Sequence, residues 1–232
     1  MIDLINLKNF SGMLPLFPLP NVVHFPHTLL PLHIFEKRYR IMLRDALKGE
    51  KLIGMSILKP GWEEKYEGNP EIYPIACLGA ISKHEPMNDG RSNILLLGIK
   101  RVRIKDIITP RPYRTASVEI LEDKKDDLSP LEIKQLRRHL YQLYSDVVVE
   151  YAGSNQEFPT LSTLNLKLGS LTDVMASFLS LPVPDLVRLL EEIRIGARAE
   201  FLIKRMESML QKGGPTVADI SPSPDYPSIS LN

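Results

Sequence analysis

The sequence predicts an α+β protein in which a strand-rich first half is followed by a helical second half. Before about residue 122, short apolar runs alternate with Pro and Gly, a pattern typical of strands joined by turns. After that point, apolar residues recur every three or four positions over long segments, which indicates amphipathic helices. The charged stretch EDKKDD at 122–127 lies between the two halves and predicts an exposed connection.

The first half contains several runs whose length and apolar content favour strands. We expect strands at residues 52–58, 72–82, 92–98, 100–108 and 116–121. Asn88-Asp89-Gly90, between two of these runs, predicts a tight hairpin turn, because Gly tolerates the positive φ that such turns require. Successive strands with tight turns indicate a small barrel or a strongly bent sheet.

Two earlier segments are less regular. Prolines interrupt residues 14–19, and because Pro cannot donate a hydrogen bond to a sheet, we expect an irregular or edge strand there. Residues 31–48 carry apolar side chains at helical spacing and are followed by Gly49, which suits a helix C-terminus. We therefore expect the one helix of this half to begin near Pro31.

The second half contains clear helix start and stop patterns. Ser129-Pro130-Leu131-Glu132 combines a Ser N-cap with a Glu that can complete a capping box, so a long helix is expected to begin here. Residues 170–173 could cap a second helix, and a third is expected from Pro184, continuing or kinking at Gly196. The sequence KGGP at 212–215 ends it, and residues 213–232, rich in Ser, Pro and Asp, are expected to form a disordered tail.

Composition limits the classes of function. The chain has 232 residues and a formal net charge of +1, so no global field attracts it to nucleic acid or to an anionic membrane. No apolar run approaches the roughly 20 residues that span a bilayer, and the N-terminus lacks the features of a signal peptide. Cys77 is the only cysteine, which excludes an intrachain disulfide and is compatible with a reducing compartment. We expect a cytoplasmic protein without a membrane partner.

Three of the five histidines, His24, His27 and His33, fall close together and raise the possibility of a metal site. Zinc requires three or four ligands held in a fixed geometry, whereas Pro26 and Pro31 interrupt any helix that could align these side chains. We favour histidines that pack or hydrogen-bond in an ordered loop. No metal and no cofactor are expected.

The sequence contains no recognisable catalytic motif. Cys77 lies in the apolar run IACLGAI, where a thiol behaves as a small hydrophobic group. G-x-S-x-G, the P-loop pattern and G-x-G-x-x-G are all absent. No catalytic residue is therefore assigned.

Two surfaces are candidates for binding. The loop KPGWEEKYEGNPEIY at 59–73 carries Trp62, Tyr66 and Tyr73, and aromatic residues on loops are enriched at binding hot spots. Covering the barrel is an equally good explanation of Trp62. Arg101, Arg103 and Lys105 would share one face of a strand, followed by Arg111 and Arg114, and could contact RNA phosphates. We favour a solvated strand face for these cations, because aromatic residues are not interleaved with them.

Several blocks of the sequence resemble one known family. PLFPLPNVVHFPHTLLPLHIFEKRYRIMLRDAL closely resembles the opening signature of the LON substrate-binding domain, the N-terminal domain of ATP-dependent Lon protease (peptidase family S16). The resemblance continues through IACLGAI, DGRSNILLLGIKRVRI and PYRTASVEILED to LTDVMASFLSLP and LLEEIRIGARAEFLIKRM. It implies a six-stranded PUA-like pseudo-β-barrel with one helix over residues 1–122, followed by a helical bundle over 123–212.

The resemblance also implies a function. The AAA+ ATPase module and the Ser-Lys protease domain that follow this domain in Lon are absent from the sequence, so we expect a stand-alone, non-catalytic module that binds polypeptides. The expected partners are unfolded or specific protein substrates and a protease system. RNA binding through Arg101, Arg103 and Lys105 is the alternative, and it rests on fold analogy alone.

Overall fold

The computed structural model describes residues 7–65, 68–108, 112–125, 128–150, 161 and 165–211. The described residues up to Glu122 form one compact unit, and those from Asp123 onward form a second. The division into two lobes at residues 1–122 and 123–212 stays a prediction. The predicted tail at 213–232 lies outside the described residues.

The first unit is a six-stranded mixed sheet with one α-helix, as predicted. Its elements are β1 (Met13–Leu19), β2 (Leu29–Ile34), α1 (Lys37–Lys48), β3 (Leu52–Ile57), β4 (Ile75–Pro86), β5 (Ser92–Ile108) and β6 (Thr115–Leu121). The strand order is β2-β5-β4-β3-β1-β6, and β6 also pairs with β5. This extra pairing closes five strands into a ring, with β2 added beside β5, and so produces the expected pseudo-barrel.

The length of β5 makes closure possible. Its first residues pair with β2, from Ser92 to Leu97, and its last residues pair with β6, from Arg101 to Ile108. The sequence predicted two strands here, but the structure has one continuous strand. Register shifts in the pairing of β4 with β5 occur at Leu78/Gly79 and Ile81/Lys83. Such irregularities bend a strand locally, and this bending allows β5 to pair with β2 at one end and with β6 at the other.

An irregular or edge strand was predicted at residues 14–19, and the edge alternative is wrong, because β1 lies between β3 and β6 in the sheet order. Met13 to Pro15 pair antiparallel with β6, whereas Leu16 to Leu19 pair in parallel with β3. Each half of β1 therefore has one ladder. Pro15 and Pro18 have no amide hydrogen to donate, and they are tolerated because the half of β1 in which each lies pairs with only one neighbouring strand.

The predicted start of the first helix near Pro31 is also wrong. Leu29–Ile34 forms β2, which pairs with β5 over its whole length, and α1 begins only at Lys37. Leu29, at the start of β2, is 57% exposed, whereas Phe25 and Leu32 are buried. Pairing with β5 overrides a local apolar pattern that suits either structure.

The hairpin between β4 and β5 turns where the sequence predicted. Gly90 has a φ of +80°, and its amide donates to the carbonyl of Met87. The barrel core behind these strands is apolar and buried. Its central cluster comprises Leu14, Leu52, Ala76, Leu78, Ala80, Ile99 and Val102.

The second unit is helical. It contains α2 (Pro130–Glu150), α3 (Leu168–Phe178), α4 (Val183–Glu191) and α5 (Ile195–Gln211). The predicted capping box forms, since the Ser129 amide donates to Glu132 Oε2 at 2.7 Å and the Glu132 amide donates to Ser129 Oγ at 3.3 Å. Two expectations need correction: α3 begins before Ser170, and residues 192–194 separate the third predicted helix into α4 and α5.

Helix α5 packs against α2 and α3, with Leu202 and Met206 fully buried. Among the residues that the structure describes, no helix is long and apolar enough to cross a membrane.

Candidate functional site

A groove of about 690 Å³ lies in the first unit at the N-terminal end of α1. Helix α1 contributes one wall, β1 and the residue after β3 contribute a second, and the segment before β6 closes it. Its apolar lining consists of Pro18, Ile41, Leu58, Pro70 and Pro112. Concave sites lined by apolar side chains and a few fixed polar groups are the usual form of ligand sites.

Two tyrosines form the aromatic part of this groove. Tyr39 packs on Phe17 with ring centroids 4.3 Å apart, and the Arg38 guanidinium lies 4.7 Å from the centre of the Tyr39 ring. Tyr113 donates its hydroxyl hydrogen to Asp45 Oδ2 at 2.8 Å. These contacts hold both rings in fixed orientations.

Arg114 is the most unusual residue of the groove. Its side chain is only 7% exposed, and its Nη1 donates a hydrogen bond of 2.7 Å to the carbonyl oxygen of Pro70. Burial lowers the pKa of its guanidinium, the proximity of Tyr39 opposes that change, and the nearby charge of Arg38 lowers the pKa further. The carbonyl oxygen of Arg114 accepts from the Leu16 amide, which ties its backbone to β1.

The first turn of α1 adds further positive charge. Lys37, Arg38 and Arg40 lie in this turn, which contains no acidic residue, and the Glu36 side chain makes no capping hydrogen bond. Glu36 instead pairs with Arg38 at 2.9 Å. Lys37, Arg38 and Glu36 all line the groove.

The predicted aromatic loop borders this groove. Gly68, Asn69 and Pro70, which belong to the loop, line it directly. Trp62 and Tyr73 are half-buried, and Tyr66 lies outside the described residues. The roles predicted for Trp62, Tyr66 and Tyr73 stay predictions.

The basic strand departs from its predicted pattern. Arg101 is only 2% exposed, so it does not share a solvated face with Arg103 and Lys105. Both of those side chains are about half exposed and approach Glu119, Lys105 at 2.6 Å and Arg103 at 3.9 Å. Arg111 lies outside the described residues. RNA binding through this strand stays a prediction that none of these contacts favours.

The clustered histidines contact different partners. His24 is 2% exposed and bonds through Nε2 to the carbonyl of Thr28 at 3.2 Å, while burial lowers its pKa to about 4. His33 Nδ1 bonds to Asn93 Oδ1 at 2.7 Å, and His27 occupies a left-handed turn with a φ of +66°. Within the described parts of the chain, no three His, Cys, Asp or Glu side chains are placed to share a metal ion.

The helical unit contains a second cavity, of about 510 Å³, whose charges are largely paired within the unit. Arg205 bonds to Asp185 at 2.6 Å and Arg194 to Glu192 at 2.9 Å. Arg188 and Arg205 lie over the Phe201 ring at 4.6 and 5.2 Å. The groove of the first unit is the better candidate, because its buried cation has no acidic partner among the described residues.

Comparison with known proteins identifies the family. Residues 13–208 match the model of the ATP-dependent protease La (LON) substrate-binding domain. The chain belongs to the LON substrate-binding domain family. The resemblance noted in the sequence is therefore confirmed.

Relatives of this LON domain protein are much longer. A Lon protease of Anaeromyxobacter dehalogenans is 25% identical over 207 residues, which cover 87% of this chain and 24% of that protein. A Lon protease of Dictyoglomus thermophilum is 27% identical, over 85% of this chain and 24% of that protein. The chain thus spans about a quarter of the length of these relatives.

Solved structures show the same fold. A crystal structure of a Lon N-terminal domain protein from Xanthomonas campestris has a TM-score of 0.60 at 22% identity, covering 83% of this chain and 97% of that one. The N-terminal domain of a Mycobacterium avium complex Lon protease has a TM-score of 0.63 at 16% identity, covering 84% and 98%. The predicted α+β class is confirmed.

Sequence reasoning missed the groove as a site. Arg114 follows the basic strand in the sequence, and no sequence motif marks Arg114, Lys37 or Arg38 as part of a site. The available indication was the first turn of α1, which combines several cations with no acidic residue, against the preference of a helix N-terminus.

Proposed function

We propose that this LON domain is a non-catalytic module that binds polypeptides, and that the bound segment lies in the groove beside α1. The match of residues 13–208 to a substrate-binding domain carries this proposal. The apolar, aromatic and cationic lining of the groove supports it, because extended polypeptides present both apolar side chains and polar backbone groups.

The loop at 59–73 is included in the proposed surface. Its residues Gly68 to Pro70 line the groove, and Trp62 and Tyr73 are partly exposed on the same loop. Tyr66 completes the proposed aromatic set. Large aromatic side chains at an interface commonly contribute a disproportionate share of the binding free energy.

The test is a binding titration of the whole protein. A fluorescently labelled, permanently unfolded polypeptide is titrated with the protein, and anisotropy gives Kd. Trp62→Ala and Ile41→Arg are compared with Leu131→Ala, which removes an exposed apolar side chain from α2 in the helical unit. We expect each of the first two substitutions to weaken binding by roughly tenfold or more, and the third to leave it unchanged.

The outcomes separate the parts of this proposal. If the wild-type protein does not change the anisotropy of any unfolded polypeptide in a chemically varied set, the function is wrong. If binding occurs but Trp62→Ala and Ile41→Arg both match Leu131→Ala, the function stands and the assignment to the groove and its bordering loop is wrong.

The remaining functional expectations stay predictions. These are a cytoplasmic location, cooperation with a protease system, and action as a stand-alone module. A test of the last two is whether the purified protein alters the rate at which a Lon-type protease degrades the same unfolded polypeptide.

A further inference from the structure

Two positive charges in the groove lack an acidic partner within the described part of the structure. Of the groove's cations, Arg38 pairs with Glu36, whereas no carboxylate among the described residues lies within ion-pair distance of Lys37 or Arg114. Lys37 is exposed and could be solvated by water. Arg114 is only 7% exposed, so most of its surface is removed from water, although none of its nitrogens belongs to the described polar atoms that are both fully buried and unpaired.

Burial makes the missing partner of Arg114 costly. A guanidinium has five N–H donors, and among the described residues this one makes a single hydrogen bond, to the carbonyl oxygen of Pro70. Buried charges are normally paired, because removing an ion from water without compensation destabilises the folded protein. Burial lowers the pKa of the Arg114 guanidinium, Tyr39 opposes that change, and the charge of Arg38 lowers the pKa further, so Arg38 adds repulsion instead of compensation.

The N-terminus of α1 also carries positive charge that is not compensated by an acidic residue in its first turn. Helix N-termini carry partial positive charge and stabilise anions, yet the first turn of α1 presents Lys37, Arg38 and Arg40. The carboxylate of the N-cap residue, Glu36, bonds to Arg38 and does not cap the helix. Local features that oppose stability are characteristic of functional sites.

We infer that this end of the groove binds an acidic segment of the polypeptide, with one Asp or Glu carboxylate against Arg114 and a second near Lys37. This inference rests on the proposed function and specifies its preferred substrate. A carboxylate there would accept hydrogen bonds from the Arg114 guanidinium. Its negative charge would also interact favourably with the partial positive charge at the N-terminus of α1.

The charge of the lining favours an acidic segment over two other anions. The C-terminus of a polypeptide supplies a single carboxylate, whereas both Arg114 and Lys37 lack a carboxylate partner among the described residues. A nucleic acid would bring a continuous row of phosphates past Glu36 and past Asp45, which bonds to Tyr113 at the groove. The apolar lining from Ile41 and Leu58 suits amino-acid side chains better than phosphates.

The test uses short extended peptides with amidated C-termini and a fixed apolar sequence. Matched versions carry paired glutamates, paired glutamines or paired lysines, and a further glutamine version has a free C-terminal carboxylate. Kd is measured by calorimetry at low and high salt. We expect the glutamate peptide to bind at least roughly tenfold more tightly than the glutamine peptide at low salt, with the difference shrinking as salt increases.

Substitutions locate the effect. Arg114→Gln and Lys37→Gln should each reduce the preference for glutamate while leaving the affinity for the glutamine peptide nearly unchanged. Lys48→Gln, at the exposed C-terminal end of the same helix, is the matched control and should preserve the preference. If Arg114→Gln does not fold, Lys37→Glu decides: it should stabilise α1 against unfolding yet reverse the preference toward the lysine peptide.

Each contrary result has a definite meaning. Equal binding of the glutamate and glutamine peptides would overturn this inference and leave the proposed function intact, whereas no binding of any peptide would reject both. A gain limited to the free C-terminal carboxylate would replace an acidic segment by a polypeptide end. Tighter, strongly salt-dependent binding of single-stranded RNA, lost in Arg114→Gln, would assign the site to phosphate.

Discussion

The guanidinium of Arg198 donates two parallel hydrogen bonds to the carboxylate of Asp123. Nη1 donates to Oδ1 at 2.8 Å and Nη2 donates to Oδ2 at 2.7 Å. Arg198 is 1% exposed and also contacts Thr172 Oγ1 and, at 3.8 Å, the buried carboxylate of Asp173. One side chain of α5 thereby connects the segment before α2 to α3.

Arg198→Met should destabilise the helical unit by about 3 kcal/mol. The substitution removes both hydrogen bonds to Asp123 and the positive charge 3.8 Å from the buried Asp173 carboxylate, and loss of one member of a buried ion pair typically costs this much. Urea unfolding followed by far-UV circular dichroism measures the change. Arg194→Met is the control, because Arg194 makes a similar two-bond contact with Glu192 at an exposed position. A comparable loss for both variants would contradict the role of burial.

His24 should make the first unit less stable as the pH falls from 6.5 to about 4. Its pKa is lowered from 6.5 to about 4 because burial disfavours the charged ring, so over this range the unfolded protein binds more protons than the folded one. The difference corresponds to about 3 kcal/mol, present in full above pH 6.5 and lost toward pH 4. Denaturant midpoints read from the fluorescence of Trp62, the only tryptophan, measure it.

His24→Gln tests that assignment, since an amide can donate to the Thr28 carbonyl without titrating. The stability of this variant should be nearly constant between pH 4.5 and 6.5. His139→Gln changes an exposed histidine of the helical unit and should leave the wild-type slope in place. An unchanged slope in His24→Gln would show that another group is responsible.

Gly98→Ala should destabilise the barrel by about 2 kcal/mol. A Cβ at this position would overlap the carbonyl oxygen of Phe25 and would lie 3.1 Å from Cα of Pro26, and backbone atoms yield less than flexible side chains. Gly49→Ala provides the comparison, because its Cβ would make ordinary contacts of 3.6 and 3.8 Å. The Trp62 fluorescence transition should shift to lower denaturant in Gly98→Ala alone. Equal midpoints in the two variants would count against the close approach at Gly98.

Ser129→Ala should destabilise α2 by about 1 kcal/mol, the usual effect of removing an N-cap side chain. The hydrogen bonds from Ser129 lower the pKa of Glu132, so the contribution of that carboxylate is present above its ordinary pKa and is lost as the pH falls through the lowered one. Circular dichroism of the unfolding transition measures both effects. Ser145→Ala, at an exposed position inside α2, should be neutral or slightly stabilising. If both substitutions act alike, the cap contributes little.

Sequence patterns located the features that depend on near neighbours along the polypeptide. The hairpin at Gly90 and the capping box at Ser129 formed where predicted, because turn geometry and N-cap chemistry involve only a few consecutive residues. The apolar run at β2 was misassigned for the opposite reason. Its length and composition suit a strand or a helix, and only pairing with β5 selects the strand.

The sequence pattern also did not predict which cations of the basic strand are buried. Alternation along the strand placed Arg101 beside Arg103 on one face, yet Arg101 is buried and Arg103 is exposed. Alternation states which residues share a face of the strand, but what covers that face depends on the rest of the fold.

By itself, the sequence determined the α+β class, the order of strands before helices and membership of the LON substrate-binding domain family. Only the tertiary structure brought Arg114 into the groove at the N-terminal end of α1, near Arg38. The protein reaches that arrangement through pairing of β1 with β6 and the hydrogen bond from the Leu16 amide to the Arg114 carbonyl. Such contacts join residues far apart in the sequence, so local propensity and periodicity carry no information about them.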